Sequence, residues 1–180
     1  MTKKLRIFSR HQLALLMAII IGASSCAPPQ VKQAHDNSRP SPQEVDRFPK
    51  RLGLLNDYAD VLDKASEDNL TEQLAKLNQS KRVETVVVLV KNTSGEPIFD
   101  YSLQLANQWR IGTNGRGVLF LVSIEDRKWR IQVSKALESV LTNDVTKPIG
   151  DRSADFFKNQ EYAAGVESVV KELGNKLEGS

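Results

Sequence analysis

Residues 52–180 carry three kinds of apolar pattern, and each predicts a different element. The apolar positions of 65–80 recur at helical spacing among good helix formers, which predicts an amphipathic helix. The runs 84–90 and 117–123 are short, uninterrupted and rich in β-branched residues, which predicts strands buried on both faces. The alternation of strand and helix favours a sheet with helices packed on it.

The rest of this region predicts a hairpin and three more helices. Residues 128–134 alternate apolar and polar side chains, and the short polar segment 125–127 links them to the preceding run, which predicts an antiparallel hairpin. Pro97 is suited to a helix start, and Trp109 shares a face with the apolar residues of that helix, which favours the core over a ligand-stacking role. Two helices close the chain, over 144–158 and 161–177. The fold class is therefore a three-layer α/β/α sandwich with a mixed sheet.

A different pattern marks the N-terminus. Four basic residues precede the nine-residue apolar run 13–21, which has the length of a signal peptide rather than of a membrane-spanning helix. Small residues then lead into Cys26, as in a lipobox. Residues 1–25 are therefore expected to be a lipoprotein signal peptide and Cys26 the lipidated residue, with an ordinary secretory signal as the alternative. The expected location is the cell envelope, facing the periplasm or another extracytoplasmic side. Ala27 after the cysteine favours the outer membrane in a Gram-negative host.

Residues 26–51 are expected to form a lipidated, flexible tether, and 52–180 one domain. The tether holds five prolines and few large apolar side chains, so it offers little to offset the entropy of ordering. Loss of the signal would also remove four of the 25 basic residues, which leaves 21 against 22 acidic ones. The mature chain is then nearly neutral, which gives no support for a nucleic-acid partner.

The residue types of the domain exclude several kinds of catalysis. Both histidines, His11 and His35, and the single cysteine precede it, so thiolate or imidazole metal sites and Ser-His or Cys-His pairs are excluded there. Acidic residues at 56–63 and 125–127, with Glu138 nearby, offer oxygen ligands for a hard cation. The same acids also suit helix caps and tight turns, so both interpretations stay open.

Several ordered segments resemble the TPM domain family, which is named for a thylakoid lumen protein, a photosystem II accessory subunit and a nematode receptor modulator. They are Asn-Asp-Tyr-Ala-Asp-Val-Leu at 56–62, Trp-Arg-Ile-Gly at 109–112, the strand at 117–122 with Glu-Asp-Arg-Lys-Trp-Arg-Ile at 125–131, and the segments 136–142 and 156–166. The resemblance implies a Rossmann-like α/β/α sandwich on the non-cytoplasmic side of a membrane. It also implies a link to assembly or repair of membrane protein complexes, with weak acid phosphatase activity or calcium binding in some members.

The resemblance also supplies candidate site residues. It implies a metal site, most simply a weak calcium site, formed by Asp57, Glu125, Asp126 and Glu138. Arg116 and Arg127 are the candidates for binding phosphate or balancing charge, and Arg116 stands where many relatives offer oxygen ligands.

Three functions remain open. The first is a membrane-anchored extracytoplasmic binding module that assists assembly, maintenance or repair of a membrane protein complex. The second is a weak metal-dependent acid phosphatase that works without histidine or cysteine. The third is a purely structural envelope lipoprotein.

Overall fold

A computed structural model of the protein describes residues 47–178. They form a four-stranded mixed sheet with helices on both faces, which confirms the predicted α/β/α class. The elements in chain order are β1 (Leu55–Asp57), α1 (Lys64–Lys81), β2 (Glu84–Val90), α2 (Ile98–Gln108), β3 (Gly117–Ser123), β4 (Lys128–Val133), a 3₁₀ helix (Lys135–Leu137), α3 (Asn143–Lys158) and α4 (Tyr162–Lys176). Within this part of the chain, no helix combines the length and apolarity needed to cross a bilayer.

The sheet has the order β1-β2-β3-β4. The first three strands are parallel, with Val87 of β2 beside Leu55 of β1 and Phe120 of β3. The hairpin strand β4 is antiparallel to β3, with Ile131 opposite Phe120. β2 and β3 have the predicted bounds because helices cover both of their faces, so every position from 85 to 90 and from 117 to 123 is buried.

Alternate residues of the strands point into two separate cores. On one face, α1, α3 and α4 cover Val87, Phe120 and Ile131. On the other face, α2 covers Val86 and Leu119. Within residues 47–178, three α-helices therefore pack on one side of the sheet and one on the other.

The two connections between parallel strands, β1–α1–β2 and β2–α2–β3, have opposite handedness. Both move one strand along the sheet in the same direction, but α1 and α2 lie on opposite faces. One of the two connections is therefore left-handed, which is rare among parallel strands. Because α1 and α2 lie on opposite faces, the chain leaves β1 and β2 in opposite directions. In α/β sheets, a crevice forms beyond the carboxyl ends of two neighbouring strands whose connections diverge in this way.

The domain begins earlier than the sequence indicated. Residues 47–51 belong to the segment 26–51 that was expected to be a flexible tether, but they pack on the face that carries α2. Phe48 is 6% exposed, and the indole N–H of Trp109 donates to the carbonyl oxygen of Pro49 at 3.1 Å. The prolines suggested disorder, whereas burial of one aromatic side chain holds the segment in place. The predicted signal peptide and Cys26 lie outside the described residues.

Candidate functional site

The first candidate turn, Asn56–Asp57, lies at the end of β1, and its asparagine is fully buried. The Asn56 Oδ1 accepts from the backbone N–H groups of Leu52 and Gly53 at 2.7 and 3.1 Å. Its Nδ2 donates to the carbonyl oxygens of Gly53 and Val87, both at 3.2 Å. All four hydrogen-bonding positions of the amide are thus used to join the segment before β1 to β2.

Asp57 organises the loop that follows β1. One carboxylate oxygen accepts from the N–H groups of Ala59 and Asp60 at 3.0 and 2.9 Å. The other oxygen accepts from Val61 and Leu62 at 2.9 and 2.8 Å. Four backbone donors converge on one half-buried carboxylate, so the side chain fixes the conformation of this loop.

Asp126 joins the loops that follow β2 and β3. Its Oδ2 accepts from the Ser123 hydroxyl at 2.6 Å, from the Thr93 N–H at 2.9 Å and from the Thr93 hydroxyl at 3.1 Å. These hydrogen bonds, led by the one from Ser123, lower the pKa of Asp126. Beside it, Glu125 accepts from the Asn92 side chain, which ties the same two loops together a second time.

Asp57, Glu125 and Asp126 therefore lie at the carboxyl edge of the parallel strands, but Glu138 and Arg116 do not. Arg116 immediately precedes β3, and Glu138 follows the end of β4. The N–H of Ser134 donates to the carbonyl oxygen of Gly117 at 2.9 Å, which places both chain positions at the amino edge. Glu138 lines a cavity there with Gly117 and Ser134. The expected convergence of four carboxylates does not occur.

The donor set does not fit the calcium site expected from the sequence. Both oxygens of Asp57 and one oxygen of Asp126 already accept hydrogen bonds, and Glu138 lies at the opposite edge. Among residues 47–178, no three acidic, histidine or cysteine side chains are grouped as metal ligands. Calcium binding by the protein stays a prediction.

Arg127 lies at the carboxyl edge and lines a cavity of about 410 Å³. One wall is the β3–β4 turn with Arg127 and Lys128, and the other is the region where α3 ends and α4 begins, with Phe157, Lys158 and Tyr162. The cavity combines aromatic side chains with three basic ones. Its size lies in the range of small-molecule sites.

Together these features define a class: a Rossmann-like three-layer domain whose parallel strands end in loops held together by carboxylates. The chain belongs to the TPM domain family, whose model matches residues 55–176. The match covers every strand and helix of the fold, including both carboxylates that hold the loops.

Three of the solved structures with similar folds are bacterial proteins. The N-terminal domain of a protein from P. gingivalis is 27% identical, with a TM-score of 0.65 over 70% of this chain and 82% of that one. The N-terminal domain of the cg2496 protein from Corynebacterium glutamicum is 13% identical (TM-score 0.58; 71% and 82% covered). The BA42 protein from Bizionia argentinensis is 19% identical (TM-score 0.58; 67% and 83% covered). No curated protein matches the chain significantly.

Sequence reasoning missed several residues of this edge. Ser123 was assigned only to a strand and Thr93 was not singled out, yet both donate hydrogen bonds to Asp126. A hydroxyl that ends a buried apolar strand, three residues before an aspartate, was an available signal for Ser123. Thr93 gave no local signal, because its contact with Asp126 spans 33 residues.

Proposed function

We propose that the protein is a lipid-anchored extracytoplasmic binding module that assists assembly, maintenance or repair of a membrane protein complex. The observation that supports it best is the construction of the carboxyl edge. Asp57 fixes the loop after β1, and Asp126 joins the loops after β2 and β3 to each other. A surface of preorganised loops loses little conformational entropy when a partner binds.

The chemistry of these acids also favours recognition over nucleophilic catalysis. Both oxygens of the Asp57 carboxylate accept N–H hydrogen bonds, four in all, so its lone pairs are directed at the loop and not at a substrate. Asp126 directs one oxygen at two hydroxyls and an amide. The hydrogen bonds of Asp57 and Asp126 therefore give both side chains a structural role in the loops.

The location at a membrane is supported by the sequence before the described residues. The basic start, the apolar run 13–21 and the small residues before Cys26 have the arrangement of a lipoprotein signal. We expect Cys26→Ser to shift the protein out of the membrane fraction or leave its signal uncleaved. Ser24→Ala keeps a small residue before the cysteine and is the matched control. Normal cleavage and membrane retention of the Cys26 variant would overturn the anchor.

The assembly role is tested in cells that lack the protein. Wild-type chain should restore the amount of an assembled membrane complex, measured by native electrophoresis, and Cys26→Ser should not. If the protein is instead a structural envelope lipoprotein, deletion should leave the amount of the assembled complex unchanged and should lower the integrity of the envelope. That result would replace the binding module with the structural role.

A weak metal-dependent acid phosphatase is the second candidate, because the matching family model is named for a phosphatase and Arg127 lines a basic cavity. Arg127 would then stabilise phosphate charge. Hydrolysis of p-nitrophenyl phosphate, with and without divalent metal, separates the two functions. Turnover that disappears in the Arg127→Asn variant supports the phosphatase. Equal rates in both proteins reject it.

A further inference from the structure

The cavity beside Arg127 has a rigid aromatic wall. Phe157 stacks between Phe120 and Tyr162, with ring centroids 6.4 and 5.9 Å away and 24° between the planes in both pairs. Its ring lies against Gly165, where an added Cβ would come within 2.3 Å of Cε1. Because Phe157 is packed on three sides, this wall is preformed for an apolar group.

The opposite wall supplies positive charge from the β3–β4 turn. Arg127 has a left-handed backbone conformation (φ 52°), and its N–H donates to the carbonyl oxygen of Ile124 at 3.2 Å, so the turn holds the arginine at a defined place. Within residues 47–178, no carboxylate forms an ion pair with its guanidinium. Arginine in such a place offers a planar pair of donors.

The other two cations of the cavity are partly balanced. Lys158 Nζ lies 2.8 Å from a carboxylate oxygen of Asp155. Lys128 lies close enough to Asp126 to favour the ionised carboxylate. Arg127 is therefore the main uncompensated charge, and the cavity is matched to an anion of single charge rather than to a dianion such as a phosphate monoester.

We propose that this cavity binds the C-terminal residue of a peptide chain. A C-terminal residue carries one carboxylate and one side chain on the same carbon atom. This pairing matches a cavity with an arginine on one wall and packed aromatic side chains on the other. The carboxylate forms a two-point hydrogen bond with Arg127, and an apolar or aromatic side chain packs on Trp129, Phe157 and Tyr162.

The inference deepens the proposed binding role and rests on it for its biological meaning. It names the part of a partner protein that this edge recognises, namely an exposed chain end with an apolar last residue. Peptide binding is measured on the purified protein, so its failure leaves the membrane experiments on Cys26 unaffected. Conversely, a cytoplasmic or unanchored chain would still bind the peptide.

The test uses an N-acetylated hexapeptide that ends in phenylalanine, as the free acid and as the C-terminal amide. Binding is followed by backbone amide shifts and by the indole N–H signal of Trp129. We expect the acid to bind at least about tenfold more tightly than the amide, because the charge-assisted hydrogen bond to Arg127 is lost in the amide. Arg127→Asn should remove this difference, since asparagine tolerates the left-handed backbone and keeps the turn.

Arg110→Asn is the matched control, because Arg110 is another exposed arginine with a left-handed backbone (φ 53°) and lies outside the cavity. It should leave the tenfold preference intact. Equal binding of acid and amide by the wild-type protein would overturn the proposal. So would tighter binding of phenyl phosphate than of the acid, which would indicate a dianion site. N-acetylphenylalanine carries the same carboxylate and side chain, so it should also bind more tightly as the acid than as the amide, and absence of this preference would overturn the proposal.

Discussion

The buried amide of Asn56 provides a test of how β1 is attached to the domain. Replacement by alanine removes the four hydrogen bonds to Leu52, Gly53 and Val87 and leaves their backbone groups without that partner. At about 1 kcal/mol for each net hydrogen bond, Asn56→Ala should lower the free energy of unfolding by roughly 3–5 kcal/mol. This is a large part of the about 5–15 kcal/mol available to a domain.

Asn56→Asp is the more informative variant because it keeps the shape. One carboxyl oxygen still accepts from Leu52 and Gly53, but the other takes the place of an amide nitrogen 3.2 Å from the carbonyl oxygens of Gly53 and Val87. Burial and these two carbonyls disfavour the charged form, so the pKa of the introduced carboxyl is raised in the folded state. The loss in free energy of unfolding is then small below the unfolded pKa of about 3.9. Above it, the loss grows by about 1.4 kcal/mol for each pH unit until the folded pKa is reached.

The assay is urea unfolding at pH 4 and pH 7, followed by fluorescence of Trp109 and Trp129. We expect the loss of stability in Asn56→Asp, relative to wild type at the same pH, to be about 1–2 kcal/mol at pH 4 and above about 4 kcal/mol at pH 7. Asn114→Asp is the control, because Asn114 is exposed and its side chain only accepts a hydrogen bond, from the Arg116 N–H. A loss that is the same at both pH values would refute the buried four-bond arrangement.

Three further predictions follow from packing and charge. Gly150→Ala should destabilise the fold by about 1–3 kcal/mol in thermal unfolding, since its Cβ would lie 2.2 Å from Cζ3 of the Trp129 ring; Gly174→Ala, which meets only one flexible leucine, should be neutral or stabilising. Hydrogen bonds lower the pKa of Asp126, so the ionised carboxylate stabilises the folded state fully above pH about 4, and this stabilisation is lost as pH falls through the folded pKa. The difference in melting temperature between wild type and Asp126→Asn should therefore shrink below pH about 4. A difference that stays constant with pH would contradict this. Millimolar calcium should shift backbone amide signals less in Asp126→Asn than in wild type, and equally in Glu138→Gln and wild type. An equal reduction of the shifts in both variants would support the site of four carboxylates.

The long elements were predictable from sequence because their patterns are set by burial. β2 and β3 match the predicted runs, and the helices begin and end within two residues of the expected positions. β1 was missed because three residues, two of them polar, carry no periodic signal. Its place in the sheet is fixed by the side chain of Asn56 and by pairing with β2, which are long-range contacts.

The candidate site was predictable in part. The family resemblance grouped Asp57, Glu125 and Asp126 in one site, and the structure places all three at the carboxyl edge. Glu138 was assigned to that edge wrongly, although the predicted antiparallel hairpin already implies that residues after β4 return to the other edge. The hydrogen bonds that occupy Asp57 and Asp126 could not be predicted, because they depend on loop conformations that no local pattern specifies.

The two outer strands of the sheet have a consequence for self-association. An exposed strand edge is a template for aggregation, and proteins protect it by shortness or by charge. β1 is only three residues long, and β4 carries Lys128 and Arg130, the second of which stacks on Phe99 with 4.9 Å between guanidinium carbon and ring centroid. These two edges therefore oppose sheet-to-sheet polymerisation between copies of the domain at high local concentration.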